Sequence, residues 1–283
     1  MPTYLDLPNP PPPHLLSPEI SRTLYFDLTR EFNAPGTIAV LASGQAAVFH
    51  RIAIMSKDGD WIIRETPEAC QRILSVLAEH GARYRLSAPL DPRWLAGGWS
   101  SHFSYDIAIP GSPYPYAVKC DFVGHPPRIA DPTELFRSHA GEANMPVVTH
   151  EQLILLKRTD RRKDYVVIGE AARQLPAHRE IEFSLDPDRI IELAPTYGTA
   201  STRPCVRAAL RGEDRRTIRI AIDDEIDQFM QANIARMRPY REAASTYARE
   251  FIKARIHTLP LLEGHALAVA IAKRWLPPNP TQN

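Results

Sequence analysis

Residues 37–65, TIAVLASGQAAVFHRIAIMSKDGDWIIRE, constrain the fold of this chain more than any other stretch. Residues 37–42 are apolar and partly β-branched, which suits a buried strand. Residues 45–55 are long and Ala-rich enough for a helix, and residues 59–64 read as a second strand. The first strand ends at Ser43-Gly44, and Asp58-Gly59-Asp60 heads the second. The chain therefore passes from strand to helix and back to strand around a glycine turn and a pair of acids.

The flanks extend this pattern. Residues 17–33 predict a helix with Ser17 as N-cap, Pro18 in the first helical position and Glu19 in the first turn. Thr66-Pro67-Glu68 opens another helix through about His80, with Leu74, Leu77 and Ala78 on one face and Gly81 closing it. Residues 99–106 and 116–123 read as two strands joined by a Pro-rich turn. Helices are predicted over 150–158, 161–175, 222–236, 240–257 and 260–275. Strands mixed with helices, followed by a helical last third, predict an α+β core with flanking helices and a mostly helical C-terminal part. The division expected is a Pro-rich leader at 1–16, an α+β domain at 17–175 and a helical region at 176–283.

The chain has 27 prolines against 13 glycines, and their clusters punctuate it. Pro8 and Pro10 to Pro13 predict a stiff polyproline leader. Pro110, Pro113 and Pro115 crowd one turn, Pro126 and Pro127 another, and Pro277, Pro278 and Pro280 the C-terminus. No repeat with a period of 20 to 50 residues is present.

Composition excludes several classes. In 283 residues, 34 Lys and Arg balance 33 Asp and Glu, so the chain is no strongly basic nucleic-acid scaffold. No run approaches the roughly 18 apolar residues of a membrane span. The opening MPTYLDLPNPPPPH lacks the basic and apolar regions of a secretory signal. Cys70, Cys120 and Cys205 are too few and too scattered for a disulfide framework or a Cys-rich zinc site. The expectation is a cytoplasmic protein with no membrane partner.

The acids carry the chemistry. Side chains at i and i+2 on a strand share a face, so Asp58 and Asp60 would stand side by side. Two carboxylates so close repel unless protonated or neutralised, and a divalent cation such as Mg²⁺ neutralises them. Ser43-Gly44 suits a phosphate: glycine admits close backbone approach, serine brings a hydroxyl, and the helix start brings free N–H groups. Read alone, Lys57 to Asp60 is equally a hairpin turn. A third acid, Asp121, interrupts the apolar run Ala117-Val118-Lys119-Cys120-Asp121-Phe122-Val123. It needs a partner or a metal if buried, unless it shares an outward face with Lys119. Three converging acids suit metal-dependent phosphoryl or nucleotidyl transfer.

This ordered set resembles the nucleotidyltransferase superfamily of the polymerase-beta type. The motif there is a hydrophobic residue, Gly, then Gly or Ser, a gap of around ten residues, and Asp-x-Asp or Asp-x-Glu. This chain has Ala42-Ser43-Gly44, thirteen residues, then Asp58-Gly59-Asp60, and later Cys120-Asp121-Phe122. Leu153 to Lys157 followed by Arg161-Arg162-Lys163-Asp164-Tyr165 is similar to a helical pair in nucleotidyltransferase-like proteins of the abortive-infection and toxin class. The resemblance spans about residues 37–175. It departs in the Ser-Gly order of the turn, in Gly59 where an apolar residue is usual, and in the long Pro-rich segment before Asp121. It implies that Asp58, Asp60 and Asp121 bind Mg²⁺ or Mn²⁺, and that Asp121 assists deprotonation of an acceptor hydroxyl. It also implies that Ser43 and Gly44 hold the β- or γ-phosphate of an NTP such as ATP, with Lys157 neutralising phosphate charge.

Other residues have plainer readings beside functional ones. Lys157 could be a solvated helix lysine. Arg158, Arg161, Arg162 and Lys163 form a basic run that is either a solvated face or a guide for a polyanion such as tRNA. Trp99, His102 and Tyr105 could line an acceptor pocket or pack within a sheet. His102 and His125 lack the spacing of a zinc pair. Asp223-Asp224-Glu225 and Asp227 suit a helix start. No serine-hydrolase elbow or P-loop motif is present. The expected activity is metal-dependent transfer of an NMP from an NTP to a hydroxyl of RNA, protein or a small molecule. The alternative is an inactive relative that binds nucleotide or a partner, such as an antitoxin, in a defence module.

Overall fold

The computed structural model describes residues 18–109, 113–138 and 145–281. The predicted leader, the Ser17 cap and Pro110 lie outside the described residues. The core elements are α1 (Pro18–Phe32), β1 (Ala39–Ala42), α2 (Ser43–Phe49), β2 (Asp58–Ile63), α3 (Pro67–Glu79), β3 (Arg83–Tyr84), α4 (Pro92–Leu95), β4 (Ser100–Ile107) and β5 (Tyr116–Val123). Helices follow: α5 (Pro132–Ser138), α6 (His150–Lys157), α7 (Asp164–Ala172), α8 (Ala177–Glu180), α9 (Pro187–Tyr197), α10 (Pro204–Leu210), α11 (Arg215–Lys253), a 3₁₀ turn at Ile256–Thr258, and α12 (Leu261–Trp275). This is the α+β arrangement with a helical C-terminal part that the sequence predicts. Among the described residues no helix is long and apolar enough to cross a membrane.

The strands form one mixed sheet in the order β1-β2-β5-β4-β3. β2 and β5 run parallel, and the other neighbours are antiparallel. Period-two alternation separates its faces. Trp61, Cys120, Phe122, Phe103 and Tyr84 are buried on one face. Asp58, Asp60, Lys119, Asp121, Ser100 and His102 occupy the other, at the alternate positions. The apolar face packs on α1, where Phe32 meets Trp61 and Phe122 edge-on. The last helix returns to this core: the Tyr84 hydroxyl lies 2.8 Å from His265 Nδ1 on α12.

Gly59 has a structural reason. A Cβ there would strike the Trp61 indole and the Tyr25 ring, both deep in the core. Gly59→Ala is therefore expected to cost about 1–3 kcal/mol of stability through overpacking. Urea unfolding checks this, and an unchanged midpoint would refute it.

Three helix readings change. The predicted helix at 45–55 is α2, which starts two residues earlier and stops at Phe49. Arg51 takes a left-handed conformation, φ 60°, and the Ile52 and Ala53 amides both turn back to the Ala47 carbonyl. The two helices predicted over 222–257 are one helix, α11, which runs through Pro239. A mid-helix proline costs about 3 kcal/mol. Both halves are anchored well enough to offset it: Ile218, Ile222 and Ile226 on one side, Tyr247 and Phe251 on the other. Two hydroxyls add ties, Tyr240 to the Gly97 carbonyl and Tyr247 to the Ser87 carbonyl, each at 2.9 Å. Helices α8 to α10 fall in the region expected to be helical and have no individual bounds in the sequence reading. Two of them begin with proline, and Asp186 caps α9 through the Asp188 amide.

Candidate active site

Parallel pairing places Asp60 of β2 directly opposite Asp121 of β5. Neighbouring strands lie about 4.8 Å apart, so the two carboxylates share one face at close range. Asp58, two residues earlier on that face, lies opposite Lys119. Lys119 Nζ is 3.4 Å from Asp58 Oδ1, an oxygen shielded from solvent and without a hydrogen bond. On the other side of Asp121 stands His102 of β4. Ser43, Asp60, Ser100, His102, Asp121 and Pro127 are among the residues lining a cavity of about 250 Å³.

The electrostatics follow from this crowding. Burial, then the facing Asp121, pushes the Asp60 carboxyl up to about 7; Asp58 adds to the rise, while Lys157 and a hydrogen bond from Ser43 oppose it. Burial likewise raises Asp121 to about 6, with Arg85 and Lys119 opposing and Asp58 adding. The Arg85 guanidinium donates from Nη1 to Asp121 Oδ1 at 3.0 Å. Burial and Arg85 push the His102 imidazole down to about 4, so it is neutral at pH 7. Its Nε2 lies 2.8 Å from the Ser100 hydroxyl.

The phosphate candidates sit at the β1 edge. Ser43 follows Ala42, the register partner of Asp60, and has φ 50°. Such a left-handed turn is unusual for a residue with a Cβ. No side chain caps the amides at the start of α2. Gly44 is held close to Ser56, and an added Cβ would strike the Ser56 side chain. Lys157 is buried rather than solvated, 6% exposed, and pairs with Asp164 at 3.3 Å. Burial would raise the Asp164 carboxyl, but the Thr159 hydroxyl, Lys157 and Arg161 hold it below its ordinary value. The folded chain thus gathers Ser43, Asp60, Asp121 and the charge of Lys157, with Asp58 at the margin.

Among the described residues, no three His, Cys, Asp or Glu side chains already stand where they could hold one metal ion. Asp60 and Asp121 are nonetheless a hard, two-carboxylate oxygen set with a mutual repulsion left to relieve. Mg²⁺ is commonly bound by one or two carboxylates, with water and phosphate oxygens completing its shell, so these donors fit it.

Sequence reasoning missed Arg85. Its signal was the alternation Arg83-Tyr84-Arg85 after the Gly81 turn, too short to register as a strand. The proposed trio of Trp99, His102 and Tyr105 is not assembled. Tyr105 stacks on His80 on the apolar face, and Trp99 donates to the Pro277 carbonyl at 3.0 Å. The basic run also divides: Arg161 pairs with Asp164 and Arg162 with Asp227.

No family model and no curated protein matches this chain. Two solved structures are similar to it. One is described as a "putative nucleotidyltransferase from H. pylori", at 14% identity and a TM-score of 0.39, over 78% of this chain and 98% of that one. The other is JHP933 from Helicobacter pylori, at 12% identity and a TM-score of 0.38, over 78% of this chain and 97% of that one. Likeness at this level carries no functional argument; the chemistry of the site has to.

Proposed function

We propose that this chain is a nucleotidyltransferase-like enzyme that moves an NMP from an NTP to an acceptor hydroxyl. The observation that carries the reading is the Asp60–Asp121 pair, set in register on one sheet face at the wall of a cavity. In this reading Asp60 and Asp121 hold a divalent cation, Mg²⁺ or Mn²⁺, with Asp58 available beside them. When bound, the ion would draw charge from the phosphate oxygens and offset the repulsion between the acids.

The remaining work falls to side chains. Ser43 and the start of α2 take phosphate oxygens, and Lys157 supplies positive charge close to Asp60. The acceptor oxygen attacks the α-phosphorus, the bond from that phosphorus to the oxygen bridging the β-phosphate breaks, and pyrophosphate leaves. The acceptor proton passes to Asp121. Arg85 fixes the orientation of that carboxylate.

One observation favours a second reading. Asp121 is engaged by Arg85 and Asp58 by Lys119, as expected of a relative that binds nucleotide, or a partner such as an antitoxin, without transfer. The test is incorporation of label from each α-phosphate-labelled NTP, with Mg²⁺ or Mn²⁺, into the RNA, protein and small-molecule fractions of a cell extract. Label that appears with the wild type and vanishes with the Asp58→Asn, Asp60→Asn double variant supports transfer and names the acceptor class. Nucleotide binding without label supports the second reading, and the absence of both refutes each.

A further inference from the structure

Of the six buried or partly buried arginines described in the helical half, three are matched by an acid. Arg179 reaches Glu151, Arg189 reaches Glu180 and Arg203 reaches Glu225. Arg128, Arg158 and Arg236 are the other three. Among the described residues none of the three forms an ion pair with a carboxylate. Arg128 donates from Nε to the Leu155 carbonyl at 2.8 Å, and Arg158 lies 4.2 Å over the Phe229 ring. Arg236 donates from Nη2 to Asn233 at 3.2 Å, and its Nε is shielded from solvent with no partner. The nearby acids are already engaged: Glu225 with Arg203 at 2.6 Å, and Asp160 with Asn233 at 3.2 Å.

These guanidiniums are close enough to feel one another. Burial, then Arg236 and Arg158, lowers the pKa of Arg128. Arg128 also takes a left-handed backbone conformation, φ 68°, which a side-chain-bearing residue adopts at a cost. Half-buried cations without a carboxylate carry a desolvation cost that a bound anion would offset.

The cavity beside them fits such an anion. It measures about 380 Å³ and is lined by Gly97, Gly98, His125, Arg128, Arg236 and Tyr240 among others. Pro126 and Pro127 line both this cavity and the carboxylate cavity. Planar guanidinium forks suit phosphate oxygens, which they bind in pairs.

We propose that Arg128 and Arg236, supported by Arg158, form a phosphate-binding site in the cavity that adjoins the Asp60–Asp121 site across Pro126 and Pro127. The phosphate belongs either to a free or nucleotide polyphosphate or to the backbone of a nucleic acid. This site goes beyond the catalytic reading and is tested without metal or turnover.

The test is calorimetric titration of the full chain in EDTA with inorganic tripolyphosphate, and separately with a short single-stranded RNA. Wild type is compared with Arg128→Gln, Arg236→Gln and Arg162→Gln. Each variant removes one positive charge, so long-range attraction changes equally. Binding is expected to weaken about tenfold or more in the first two variants, the loss of a charge-assisted hydrogen bond, and to hold within about twofold in Arg162→Gln. Loss toward tripolyphosphate identifies the polyphosphate source; loss toward RNA alone identifies a nucleic-acid backbone. The unliganded thermal midpoint of Arg236→Gln is expected not to fall, because repulsion is relieved, whereas a purely structural arginine would lower it. Equal affinities across all four proteins, or no binding of either probe to wild type, would overturn the site. If the Asp58, Asp60 double variant still transferred label, the catalytic reading would fail while this binding result stood.

Discussion

Under the proposed function, Asp60→Asn is expected to abolish nucleotidyl transfer and to raise thermal stability in the same protein. Losing a carboxylate at the centre of the site should cost at least about 100-fold in rate, the scale seen when one preorganised charge-stabilising group is removed. The stability gain comes from the carboxyl's displacement from its ordinary 3.8 to about 7, caused chiefly by burial and by Asp121. Between those values the folded chain holds a proton that the unfolded chain has released. Folding stability therefore falls as pH rises from about 4 to about 7. Asn carries no charge and escapes that loss. Its advantage is absent near pH 4, grows to neutrality and then stays level. The full linkage value is discounted because Asp60 is partly solvated, which leaves about 2 kcal/mol at pH 7.5 and a midpoint higher by a few degrees. Thermal melts of both proteins at pH 4.5 and 7.5 check this. A variant less stable than wild type at pH 7.5 would mean that Asp60 is neutralised within the fold and is not strained.

Trp61→Ala is expected to be the most damaging single core change. Trp61 is 1% exposed and stacks on Phe122 at a centroid distance of 5.3 Å, and Phe32 meets it edge-on, also at 5.3 Å. Its indole N–H donates to the Thr29 hydroxyl at 2.9 Å. Truncation leaves a cavity between α1 and the sheet and should cost about 3–5 kcal/mol, a large share of a typical domain's stability. Trp61→Phe keeps an aromatic ring beside Phe122 and loses the hydrogen bond, so it should cost far less. Denaturant unfolding of the two variants measures the difference. A loss below about 1 kcal/mol in Trp61→Ala would show that the apolar face of the sheet is not the central core.

The strand β5 was legible because its alternation is local. Val118, Cys120 and Phe122 face inward, and Lys119 and Asp121 outward, as a period of two requires. The capped start of α3 was legible for the same reason: Thr66 accepts from the Ala69 amide, and Pro67 sets the first turn. Gly59 was readable only as a turn residue or a departure from a motif. Its necessity lies in Trp61 and Tyr25, and Tyr25 comes from a different element. The helix runs on through Pro239, where two helices were expected, because the anchoring of both halves of α11 is tertiary and offsets a local cost.

The residues alone determined that this chain would be α+β, that Asp58 and Asp60 would share a strand face, and that Asp121 would break an apolar run. Each of these follows from backbone periodicity within a few residues. Only the tertiary structure decided that β2 would lie parallel to β5, in the register that sets Asp60 against Asp121. A slip of one residue would have sent the acids to opposite faces. Tertiary structure also brought Arg85 to Asp121, and left Arg128, Arg158 and Arg236 near one another with no carboxylate ion pair among the described residues. Pairing register and charge neighbourhood depend on segments far apart in the chain, and no local pattern encodes which distant segment arrives.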